Sequence, residues 1–125
     1  MTEFDTWLTE TYADGPPSGF TAIIVLVSVD ADGVQPAASS FVHVSDGETR
    51  WVDMLLVLQR AGCEWDAVVF FPVRASEGGG PVADDVAREH RATCEQAVLV
   101  DPLSINKGFF CDLTGQRLVV EEQEE

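Results

Sequence analysis

Ala22-Ile23-Ile24-Val25-Leu26-Val27 is an unbroken apolar run, mostly β-branched, with no polar residue to mark a solvent face. Side chains along a strand alternate between the two faces of the sheet. A strand of this composition therefore presents apolar side chains both ways and needs cover on both sides. The apolar-rich stretch around it, Phe20 to Val29, is roughly half of what a membrane-spanning helix requires. A chain of 125 residues with 46% hydrophobic content is the size of one domain and too apolar for disorder. The expectation is a sheet with helices packed against it, in one acidic domain over residues 1–120 followed by a tail, 121–125, expected to be disordered.

The other segments fit that plan. Phe4, Trp7, Leu8 and Tyr12 fall at helical spacing, and Asp14-Gly15-Pro16-Pro17 stops them. Asp30-Ala31-Asp32-Gly33 is turn chemistry, and a second strand is expected over 37–44, with Phe41 and His43 on one face and Val42 and Val44 on the other. Ser45-Asp46-Gly47-Glu48 matches a capping box. Behind it a helix is expected over 48–61, burying Trp51, Met54, Leu55 and Leu58 on a face widened by Val52, Leu56 and Val57. Ala67–Phe71 reads as a strand ended by Pro72, and Ala97–Val100 as another ended by Asp101-Pro102. Between them, residues 81–93 read as a helix with Val82, Val86, His90 and Cys94 recurring every four residues, which suggests a βαβ crossover. Thr114-Gly115 marks a terminal hairpin. The expected fold class is α/β (α+β): a single compact domain with a mixed β-sheet of about five to six strands and two to three packed helices.

Twenty-two acidic residues stand against seven basic ones, a net charge of −15, and every base except Lys107 is arginine. Only Glu121, Glu122, Glu124 and Glu125 belong to the terminal block, so the acidity is a property of the folded body. A field of this sign repels nucleic acid and anionic membrane and attracts basic surfaces. The acidic N-terminus, Met1-Thr2-Glu3-Phe4-Asp5, lacks the basic start of a secretory signal, and the chain is expected in the cytoplasm.

Candidate chemistry is sparse. Cys63, Cys94 and Cys111 are odd in number and contain no C-x-x-C, so they read as free thiols with apolar roles. His90 and Cys94, four apart on one expected helix, share a face and are the best candidates for a small metal or thiol site. The Gly-rich loop 75–81 lies where phosphate loops lie, after a strand and before a helix. It lacks Gly-Lys-Ser/Thr and G-x-G-x-x-G, Pro81 removes an N–H, and Glu77, Asp84 and Asp85 repel a phosphate. Asp30-Ala31-Asp32-Gly33 starts like a calcium loop but lacks the later ligands. No catalytic residue, cofactor or metal is expected.

These features point to a non-catalytic binding protein that inhibits or neutralises a basic partner, a toxin domain or a nucleic-acid-handling enzyme. Immunity proteins, antitoxins and phage-encoded anti-defence inhibitors share its size and charge, though no motif carries that likeness. The expected docking face is the segment with Glu77, Asp84, Asp85 and Glu89. The alternatives are a small enzyme or ligand-binding domain using loop 75–81 with His90 and Cys94, and a subunit of a larger assembly, including a homodimer.

Overall fold

A computed structural model describes residues 2–15, 19–31, 33–45, 49–76 and 78–118. Its elements are α1 (Glu3–Ala13), β1 (Phe20–Asp30), β2 (Gly33–Val44), α2 (Trp51–Gln59), β3 (Ala67–Val73), α3 (Asp84–Val100), a 3-10 turn (Pro102–Lys107) and β4 (Phe109–Asp112). The strands form one sheet in the order β2-β1-β3-β4, every pair antiparallel. The chain is thus a single compact α+β domain.

The apolar run of β1 is central and buried on both faces, as its composition requires. Ala22, Ile24 and Leu26 join Val68, Phe70, Phe109 and Cys111 under α1 and α2. Ile23, Val25 and Val27 face the other way, toward α3 and the 3-10 turn, where Val69, Val98, Ile105 and Phe110 meet them. The α1 side is an aromatic cluster. Phe4 is fully buried, with its ring centroid 5.2 Å from Trp51 and 5.0 Å from Phe70, and Trp7 meets Phe109 edge-on at 5.2 Å.

Two corrections to the sequence reading concern the sheet. Ala97–Val100 is not a strand but the last turn of α3, so there is no βαβ crossover and the sheet is antiparallel rather than mixed. A four-residue apolar run fits either period. Here Val98 continues the inward stripe of Ala87 and Cys94, and helix wins. The sheet has four strands among the described residues, fewer than the five to six expected. The terminal hairpin is present as a single bridge, Cys111 to Arg117, with the Leu118 N–H donating to the Phe110 carbonyl at 2.7 Å. Its Gly115 is buried at φ +80°, where a side chain would strike Trp51 and Thr2.

A third correction concerns α2. Trp51, Met54 and Leu58 point inward as expected, but Val52, Leu56 and Val57 are exposed by 63%, 58% and 52%. Asp46, Gly47 and Glu48 of the expected capping box lie outside the described residues. The start of α2 is capped instead by Asp53, which accepts the Arg50 N–H at 3.2 Å, and by Asp5.

Asp5 is the buried carboxylate that joins the two helices of this layer. One oxygen accepts the Thr2 N–H at 2.9 Å, closing the capping box of α1, and the other accepts the Trp51 N–H at 2.7 Å. Burial pushes its carboxyl upward, but the N–H donors of Thr2 and Trp51 and the nearby Arg50 outweigh it and hold the group below the usual carboxylate range. A depressed folded value means that its stabilisation is present above the ordinary carboxylate pKa and lost as pH falls through the folded one. We expect Asp5→Ala to cost about 2–3 kcal/mol in urea unfolding, because two N–H groups lose their acceptor. The gap between Asp5→Ala and wild type should close as pH falls below the carboxylate range.

Candidate functional site

The sheet face that carries α3 holds a second polar connection, built from three elements. Thr21 of β1 is fully buried, and its Oγ1 accepts the Val82 N–H at 3.0 Å. The same hydroxyl lies 2.8 Å from His43 Nδ1 on β2, and His43 Nε2 lies 2.7 Å from Asp84 Oδ1 at the start of α3. The tautomer that satisfies every atom has the Thr21 hydroxyl donating to Nδ1 and the Nε2 proton donating to the carboxylate. The hydrogen bond from His43 is the main reason the Asp84 carboxyl sits below its ordinary pKa; it outweighs desolvation, and electrostatic attraction from His43 and Arg88 adds to it.

Threonine, histidine and aspartate in series have the order of a nucleophile relay, but this one is closed. The Thr21 oxygen has no exposure and already accepts an N–H, and both ring nitrogens of His43 are engaged. The arrangement acts as a clamp that fixes the entry into α3. The sequence placed His43 on the same face of β2 as Phe41, but its partners lie 22 and 41 residues away and leave no local signal.

The expected docking residues separate on this geometry. Asp84 is engaged by His43, while Asp85 and Glu89 stand exposed on the outer side of α3. Glu77 lies outside the described residues. On the inner side, Ser39 donates to Glu95 at 2.6 Å and accepts from Arg91 at 3.1 Å, a polar seam between α3 and β2.

The alternative site is assembled in part. Arg74, Ala75, Ser76, Val82, Ala83, Val86 and His90 surround a shallow depression of about 270 Å³. Cys94 is not among them. It packs half-buried against the core, where burial raises its thiol pKa. The 75–81 loop is closed on itself by the Ala75 N–H donating to the Gly80 carbonyl at 2.7 Å. Cys111 is buried and its thiol is also pushed up, while Cys63 is exposed. Among the described residues, no three His, Cys, Asp or Glu side chains gather as a metal site.

The arginines show a further pattern that composition does not reveal. Arg74 donates to the carbonyls of Gly19 and Thr11 and lies 5.3 Å from the Phe20 ring. Arg117 lies 5.5 Å from the Phe109 ring. These two of the six arginines meet carbonyls and rings, whereas Arg50 and Arg88 lie near the carboxylates of Asp5 and Asp84.

No protein-family profile, curated protein sequence or solved structure matches the chain. Among the described residues, no helix is long and apolar enough to cross a membrane.

The clamp yields a comparison. Thr21→Val removes the acceptor of a buried N–H and the donor to His43, and should cost about 1–3 kcal/mol in chemical unfolding. Asp84→Asn, at an exposed position, should cost less. Its effect should be present at neutral pH and vanish as pH falls through the lowered Asp84 pKa, because His43 donates its charge-assisted hydrogen bond to the carboxylate. Equal costs for the two variants would contradict the clamp.

Proposed function

We propose that the protein is a non-catalytic binding protein that engages and neutralises a basic partner protein in the cytoplasm, an inhibitor of the immunity-protein, antitoxin or anti-defence type. One observation carries this reading: Arg74 is held by backbone carbonyls and the Phe20 ring and Arg117 lies against the Phe109 ring, while carboxylates such as Asp85 and Glu89 face solvent. A net charge of −15 gives the chain a field available to an approaching surface. Such a field raises the encounter rate with a basic protein and keeps nucleic acid away. The outer side of α3 with Asp85 and Glu89, together with Glu77 in the preceding loop, is the proposed docking face, and Val86 beside them is an apolar contact.

The test is capture from a lysate of the native host on immobilised protein, at low and at moderate salt. A basic protein should be retained at low salt and progressively released as salt rises, with a screening length of about 8–10 Å near physiological ionic strength. Asp85→Lys/Glu89→Lys should slow association by roughly tenfold with little change in thermal stability. Retention of no basic protein at either salt, or equal association by the reversed variant, would remove the reading.

A further inference from the structure

The outward side of α2 has a different character from the rest of this acidic surface. Val52, Leu56 and Val57 are its exposed apolar side chains. One acid, Asp53, and one base, Arg60, both exposed, stand beside them three residues before Leu56 and three after Val57. At 100° per residue, Asp53, Leu56 and Arg60 share the solvent-facing side, opposite the inward Trp51, Met54 and Leu58. At the C-terminal end of the helix a cavity of about 310 Å³ opens between α2 and β2, walled by Val57 and Ala61 on one side and Ala38 and Ser40 on the other.

We propose that α2 is a self-association surface whose occupant is a second copy of this chain, packed antiparallel about a two-fold axis between Leu56 and Val57. Charge complementarity selects that occupant. A two-fold at this point sets Asp53 of each copy opposite Arg60 of the other and stacks Leu56 and Val57 at the centre. It also lays Val52 of each copy along the C-terminal turn of the partner helix, on the side away from that cavity. A basic partner would meet Arg60 on the middle of this face, a repulsive contact, with Asp53 alone to offset it. The face therefore does not duplicate the acidic docking surface on α3. One short helix buries less area than a large obligate interface, so the dimer is weak and concentration-dependent.

The test is sedimentation equilibrium of the full chain over a wide concentration range, with circular dichroism to check the helix content of each variant. Wild type should show a reversible monomer–dimer equilibrium. Leu56→Glu should abolish it, and Arg60→Glu should weaken it by roughly tenfold or more, because a carboxylate then faces the carboxylate of Asp53. Asp53→Arg alone should be weakened likewise. Mixing Arg60→Glu with Asp53→Arg should recover association as a heterodimer, since both cross-pairs are then opposite in sign. Asp53 also caps α2, so an independent measurement guards against a misfolded variant: Leu56→Cys in a Cys63→Ser background should form a disulfide-linked dimer under mild oxidation. A wild type that stays monomeric, a dimer indifferent to Leu56→Glu, a mixture of folded charge variants that does not associate, or a Leu56→Cys chain that does not cross-link would each overturn the proposal.

Discussion

Burial of β1 on both faces is the constraint from which the rest of the structure follows. Ala22, Ile24 and Leu26 require one apolar layer and Ile23, Val25 and Val27 another, and no single helix supplies both. The chain meets this by placing α1 and α2 on one side and α3 with the 3-10 turn on the other, so that β1 and β3 form the middle of a three-layer domain. Between α2 and β2 this layering leaves a cavity of about 310 Å³ floored by Ile24 and Leu26.

Two buried polar side chains set how the helices sit on that core. Asp5 fixes the start of α2 against α1, and Thr21, through His43, fixes the start of α3 against the sheet. Each is buried, and each has its bonding partners in place, so each gives direction to packing that apolar contact alone leaves loose. Both act at helix N-termini, where N–H groups otherwise lack partners. The same closure explains why the Thr21–His43 pair is structural: the Thr21 hydroxyl and both ring nitrogens of His43 are already engaged.

The two proposed surfaces differ in kind. The outer side of α3 carries exposed Asp85 and Glu89 with Arg88 beside them, and is the face proposed for a basic protein. The outward side of α2 is apolar with one charge of each sign, suited to a copy of itself. Long-range fields of the same sign keep copies of so acidic a chain apart, so a self-contact has to sit where the local charge is balanced. The two surfaces belong to different helices on opposite faces of the sheet, and binding at one leaves the other accessible.

What the sequence determined by itself was the set of periodic elements and the sign of the field. The spacing of Phe4, Trp7, Leu8 and Tyr12, the double-faced run at 22–27 and the turn at 30–33 are local patterns, and helix α1, strand β1 and the β1–β2 hairpin match them. Ala97–Val100 escaped because four apolar residues carry no period, and only packing against Ala67, Val69 and Ile105 decided for helix. The outward turn of Val52, Leu56 and Val57 escaped for a related reason. A nine-residue helix that is apolar nearly all round does not state which stripe faces the core, and the fit of Trp51 against Phe4 and Phe70 chose it. The partners of His43, Asp5 and Arg74 join residues tens of positions apart, and such pairings exist only once the layers have closed around β1.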